Sequence, residues 1–260
     1  MLTTLTLEQT SQGVATVWLN RPEKHNAMSG AMITELHQVA QQLDAAEDVR
    51  CVVLAAKGPS FCAGADLGWM RAQLDADQAT RKSEAAKLAY MLKAWGELSK
   101  PVIGRLQGNA FGGGLGLASV CDVTIGVAGL RMALTETRLG LIPATIGPYV
   151  VARMGPSNAR QVFYSGRRFD ATEAQSLGLL SKVVSPEDLE DAVAAEVAPY
   201  LECAPGAVRR AKQLLRQLSP QIDEAVIAQT IDALAACWQE GEAAEGISAF
   251  FAKTKPSWQR

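Results

Sequence analysis

The sequence predicts an α/β fold built on a mainly parallel sheet, and three observations carry that prediction. Apolar runs of strand length occur at 14–19, 51–56, 102–106, 123–127 and 182–184. The longer stretches between them repeat apolar residues three and four apart, the helical spacing. Strand and helix alternate in this way to about residue 185, which implies parallel pairing through helical crossovers.

Val14–Leu19 alternates as a strand should, and Asn20-Arg21-Pro22 ends it in a turn. Ser29 is placed to cap a helix carrying Met32, Ile33, Leu36, Val39, Ala40 and Leu43. Cys51–Ala56 is a continuous apolar strand followed by the turn Lys57-Gly58-Pro59-Ser60. The loop SFCAGADLGWM leads into a helical region from about Leu67 to Leu98, whose polar middle is loose or only partly helical. Beyond the strand at 123–127, a loop holds Gly140 and Pro143, and Gly147–Arg153 begins a short helix. Ser157 is the expected cap of the next, with Gly166 as its stop; Asp170 caps another over 171–177, ended by Gly178. From Pro186 onward the chain reads as helices broken at Pro205, Pro220 and Gly241.

The stretch Val102–Asp122 stands apart, because an apolar strand passes through a glycine cluster into a second apolar run. From Phe111 onward the spacing is helical, and Gly112, Gly113 and Gly116 leave one side of the first turn bare. Either a neighbouring element packs closely there, or a ligand uses the free backbone N–H groups. A P-loop is excluded, since no Lys-Ser or Lys-Thr follows the glycines.

Composition removes other function classes. With 25 basic and 27 acidic residues the chain offers no basic stripe, so nucleic acid is not an expected partner. No apolar run reaches the roughly 18 residues of a membrane span, and the N-terminus lacks a signal-peptide pattern, so a cytoplasmic protein is expected. Five scattered cysteines with no C-x-x-C read as reduced thiols, and two histidines give little material for a metal site or a serine hydrolase triad. Cys62 as a nucleophile would need a base beside it.

Six segments, taken in order, resemble the enoyl-CoA hydratase/isomerase family, or crotonase superfamily. They are NRPEKHNAMS at 20–29, SFCAGADL at 60–67, KPVIGRLQGNAFGGGLGLASVCD at 100–122, LTETRLGLIPA at 134–144, RRFDATEAQSLGLLSKVV at 167–184 and the terminal EGISAFFAKTKPSW. The resemblance implies a crotonase-like spiral of β-β-α units over residues 1–200 and a C-terminal helical region at 201–260 that mediates assembly into a homotrimer or homohexamer. It implies an acyl-CoA substrate, with coenzyme A entering as part of the substrate and no separate cofactor or metal. The enolate oxygen formed on the thioester would be held by the backbone N–H groups of Ala65 and Gly113. Coenzyme A would run along Lys24 and Ala27 on one side and Ala63, Asp66 and Leu67 on the other, with Phe251 and Lys253 completing its nucleotide end.

The same resemblance assigns the acid/base to Glu136, which sits among Leu134, Leu139 and Leu141, an apolar setting that raises a carboxyl pKa unless Arg138 pairs with it. Many hydratases carry a second glutamate where this chain has Gly116, so a mechanism with two carboxylates is in doubt. Asp122 and Tyr149 are candidate helpers. GADLGWM and TRLGLIPATIGPYVVARMG are most similar to the branch containing methylglutaconyl-CoA hydratases, whose substrate's extra carboxylate would want a cation such as Arg71 or Arg138. Three readings follow: hydratase for a short or branched 2-enoyl-CoA, Δ3-Δ2 enoyl-CoA isomerase, or a non-catalytic CoA- or RNA-binding relative.

Overall fold

The computed structural model describes residues 2–259. Strands β1 (Leu5–Gln9) and β2 (Val14–Leu19) pair antiparallel. From β2 the large sheet continues in parallel through β3 (Cys51–Ala56), β5 (Val102–Leu106), β7 (Val123–Val127) and β10 (Lys182–Val184). The intervening strands β4 (Ser60–Cys62), β6 (Asn109–Phe111), β8 (Arg131–Ala133) and β9 (Phe169–Asp170) form a second, four-stranded sheet.

The chain therefore repeats one move. It lays a strand in the large sheet, then one in the small sheet, and returns through helix. β3 and β4 are followed by α2 (Leu67–Asp75) and α3 (Gln78–Glu97), β5 and β6 by α4 (Gly113–Ser119), and β7 and β8 by α5 (Gly147–Ala159). This is the expected spiral of β-β-α units. All six residues of β3 are buried, which is why CVVLAA reads as an unbroken apolar run and does not alternate. Above the sheet, α1 (Gly30–Ala45) packs on α3, and the buried Trp95 indole donates to the Leu36 carbonyl at 3.0 Å.

Ser29 caps α1 through the Met32 N–H at 3.3 Å, and Asp170 caps α6 (Ala171–Ser176) through the Glu173 N–H at 2.9 Å, as the sequence predicts. Five features differ. β1 is an additional strand of five residues; the small sheet is new because its segments of two or three residues carry no readable period. Phe111 ends β6, so the helix begins at Gly113. The region 67–98 is two helices parted at Ala76–Asp77, where Asp77 caps α3 through the Thr80 N–H, and the polar middle is helical. Ser157 caps nothing: it lies within α5, whose kink is at Gly155, φ +74°.

The C-terminal part is α7 (Leu189–Glu202), α8 (Pro205–Leu218), α9 (Glu224–Cys237) and α10 (Glu242–Ala252), with breaks where Pro205, Pro220 and Gly241 predict them. Among the described residues no helix is long and apolar enough to cross a membrane.

Candidate active site

The site begins with the loop at 20–29, which Asn26 fastens. Asn26 is fully buried at φ +53°; its Oδ1 accepts from the Arg21 N–H at 2.8 Å, and its Nδ2 donates to the carbonyls of Lys57 (2.8 Å) and Ser60 (2.9 Å). So fixed, the loop pairs with the segment after β4: the Met28 N–H donates to Gly64 O at 2.8 Å and the Asp66 N–H to Met28 O at 3.0 Å.

Two glycines then let that segment approach the start of α4. Gly64 (φ +97°) and Gly112 (φ +48°) adopt backbone that only glycine takes readily. They meet face to face, since a Cβ on Gly64 would lie 3.1 Å from Phe111 O and one on Gly112 would lie 3.9 Å from the Gly64 Cα. Each directly precedes an N–H group, of Ala65 and of Gly113, that finds no acceptor among the described residues. Both residues border one cavity of about 490 Å³.

Glu136 opens the turn Glu136–Leu139 that follows β8 and faces the same cavity. Its Oε1 would be 3.0 Å from a Cβ on Gly112, so the carboxyl lies beside the glycine pair. Although the residue as a whole is half-buried, its Oε2 is closed off and has no hydrogen-bond partner. Burial pushes the carboxyl up to about 7, and a hydrogen bond to its own backbone offsets only part of that. Arg138 does not neutralise it; the arginine lines the cavity and packs against Gly166, where a Cβ would lie 2.8 Å from its Cγ. The turn is supported from outside by α10: a Cβ on Gly246 would lie 2.6 Å from the Leu139 carbonyl carbon.

Among the described residues Glu136 is the cavity's single carboxyl group, and no histidine or cysteine joins it. The position of a second acid is closed. A Cβ on Gly116 would lie 2.5 Å from Cγ2 of Ile146, a buried residue that presents its own side chain to the cavity in place of one from α4. The bare side of the α4 glycines thus serves both readings: Gly116 packs closely and Gly113 faces the cavity.

Of the residues the sequence singled out, Ala63, Ala65, Leu67, Gly113 and Glu136 border this cavity together. Lys24 is exposed and Ala27 buried, and neither is part of its wall. Asp66 also lies outside its wall. That carboxylate caps α2 through the N–H groups of Gly68 and Trp69 and pairs with Arg21 at 3.0 Å, contacts that outweigh burial and hold it below the usual carboxylate range. Phe251 and Lys253 are likewise outside the wall, and the Phe251 ring carries the Arg71 guanidinium 4.6 Å from its centre.

The candidate helpers are elsewhere as well. Asp122 accepts from the Val102 N–H at 2.7 Å and from Lys212 at 2.6 Å, tying β5 to α8, and Tyr149 is buried beside Gly96. Cys62 is buried with its thiol pushed up to about 12, which removes it as a nucleophile. Sequence reasoning did not single out Asn26 or Ile146. The signal for Asn26 was its place in the quoted motif, but nothing local marks Ile146, 30 positions from the glycine it touches.

The model of the family described as enoyl-CoA hydratase/isomerase matches residues 9–260. The chain is 30% identical over 266 residues to the mitochondrial methylglutaconyl-CoA hydratase of Mus musculus, covering 97% of this chain and 82% of that one. It is 34% identical over 226 residues to an enoyl-CoA hydratase of Alternaria alternata, covering 83% and 74%. The crystal structure of an enoyl-CoA hydratase from Shewanella pealeana superposes with a TM-score of 0.81 at 36% identity, covering 99% of this chain and 96% of that one. The chain belongs to the enoyl-CoA hydratase/isomerase family, with the crotonase fold and enzymatic character of that family.

Proposed function

We propose that the protein hydrates a short or branched 2-enoyl-CoA of the methylglutaconyl-CoA kind, with Glu136 as its single acid/base. The observation that carries this reading is a lone carboxyl group of raised pKa beside two uncommitted N–H groups in one cavity. The N–H groups of Ala65 and Gly113 take the thioester oxygen. As the O–H of a water molecule adds across C2 and C3, charge accumulates on that oxygen, and fixed donors in a water-poor site stabilise it; losing one such donor raises a barrier by about 2.7–4 kcal/mol. Ionised Glu136 accepts the water's proton as its oxygen bonds to C3. The enolate then collapses and the same carboxyl returns that proton to C2, so Glu136 ends as it began.

Coenzyme A leaves the cavity past Ala63 and Leu67 and runs along Lys24, Ala27 and Asp66, with Phe251 and Lys253 towards its nucleotide end. Residues 1–200 form the catalytic spiral and 201–260 an assembly region of a homotrimer or homohexamer. Supporting this, α8 leaves Leu214, Leu215 and Leu218 55%, 66% and 77% exposed.

The lone acid equally suits a Δ3-Δ2 isomerase, in which Glu136 would carry one proton between C4 and C2. Absorbance of the conjugated enoyl thioester decides. Its loss from crotonyl-CoA or 3-methylglutaconyl-CoA, with a mass gain of one water, is the hydratase outcome. Its appearance from a 3-enoyl-CoA, with both 2-enoyl substrates unchanged, would replace hydration by isomerisation.

A further inference from the structure

Part of the cavity wall comes from α2, α3 and α9, away from the elements that carry Glu136 and the two N–H donors. There Ala85, Leu88, Leu234 and Trp238 make an apolar surface interrupted by two polar groups, Gln73 and Arg81. Gln73 is only 5% exposed and borders the cavity, where the accessible part of its carboxamide is free to meet a ligand.

Arg81 is held rigidly. Its Nε donates to Gln73 O at 2.9 Å, one terminal nitrogen donates to Leu74 O at 3.1 Å, and the guanidinium lies over the Trp238 ring at 4.5 Å. Among the described residues no carboxylate lies within ion-pair distance of it. Asp77, whose charge feels Arg81, is fully exposed and spent on capping α3. A planar cation fixed at two edges, with its remaining nitrogen uncommitted and an amide beside it, suits a carboxylate and nothing in a plain hydrocarbon chain. Arg71, stacked on Phe251, is not so placed.

We infer that the cavity receives an acyl chain ending in a carboxylate, and that Arg81 and Gln73 hold that carboxylate. The inference rests on reading the cavity as an acyl-CoA site. Its specificity follows from mismatch: an uncharged chain leaves the guanidinium and the amide unmet, whereas a dicarboxylic monothioester satisfies both.

The test is equilibrium binding of saturated, unreactive thioesters to the full-length protein by titration calorimetry. Succinyl-, glutaryl- and adipyl-CoA are each compared with the analogue in which an isopropyl group replaces the carboxylate. In the wild type at least one charged member should bind more tightly than its isostere. Arg81→Met should reduce that preference by roughly 30-fold and Gln73→Leu by about 5-fold. Arg81→Lys, which keeps charge without the planar fork, should recover only part of it and serves if the methionine variant does not fold. Weaker binding of every charged member than of its isostere, or equal losses for both kinds in the variants, would overturn the inference alone. If neither kind binds, the acyl-CoA reading falls as well.

Discussion

Ile146 occupies the space that any side chain at position 116 would need, its Cγ2 being 2.5 Å from where a Cβ on Gly116 would lie. The missing second glutamate is therefore a packing arrangement of α4 against the start of α5, and a glutamate cannot be restored by one substitution. Gly116→Ala should destabilise the protein by about 1–3 kcal/mol through overpacking. In the Ile146→Ala background the same change should cost less, with a coupling of at least about 1 kcal/mol in a urea-denaturation cycle. Additive behaviour of the two changes would show that the contact does not govern this position. Gly116→Glu should bring no gain in hydration rate.

Glu136→Gln removes the only proton-transfer group that the cavity wall contains among the described residues. Turnover should fall by about 10²–10⁴-fold, whether the reaction followed is hydration or 3-enoyl isomerisation. Affinity for a saturated acyl-CoA should persist, because the amide is isosteric and the N–H donors of Ala65 and Gly113 are untouched. Full turnover in this variant would move the chemistry away from Glu136.

The same residue links stability to pH. Native Glu136 titrates at about 7, against an ordinary value of 4.5, so between those values the folded state holds more protons than the unfolded state. Stability is consequently lost as pH rises through that window. The loss is absent below about pH 4.5 and complete above about pH 7, where it is on the order of 3 kcal/mol. Glu136→Gln should be more stable than wild type at pH 8, with the difference vanishing at pH 4. Because the proposed mechanism uses the ionised form, kcat/KM should decline about tenfold per unit below pH 7. A flat profile between pH 5 and 8 would contradict both.

How much of this was legible in the sequence follows the range of the forces involved. Long apolar runs such as Cys51–Ala56, and caps such as Ser29 and Asp170, are local, and they read correctly. The small sheet was invisible because its strands are two or three residues long and stabilise one another only across turns of the spiral. The segments that meet at the site were recognisable as motifs, and Glu136 as an acid in apolar surroundings. Ile146 against Gly116, Gly246 against Leu139, and Arg81 on Trp238 join residues far apart in sequence and leave no periodic trace.

Gly246 offers a test of the support beneath the acid. A Cβ there would lie 2.6 Å from both the carbonyl carbon and oxygen of Leu139, so Gly246→Ala must move either α10 or the turn that begins at Glu136. Misplacing a catalytic group by about 1 Å costs roughly 100-fold. Turnover should drop at least 10-fold while KM changes much less, because the N–H groups of Ala65 and Gly113, proposed to hold the thioester oxygen, lie on other elements. Unchanged kcat would mean that α10 yields without disturbing the turn.

Asn26 holds together the two loops that present Met28 and Ala65, and it does so by donating both amide hydrogens to carbonyl oxygens. Asn26→Asp keeps the size and the bond from the Arg21 N–H but turns an oxygen towards Lys57 O and Ser60 O. With the carboxylate ionised, two acceptors face a buried charge, and the expected destabilisation is roughly 2–4 kcal/mol at pH 7. A protonated carboxyl donates one bond, so the deficit should shrink as the pH is lowered towards 5. Chemical denaturation of wild type and variant at both values measures this. A deficit that does not depend on pH would show that shape, and not hydrogen-bond polarity, is what Asn26 contributes to the loop beneath the Ala65 donor.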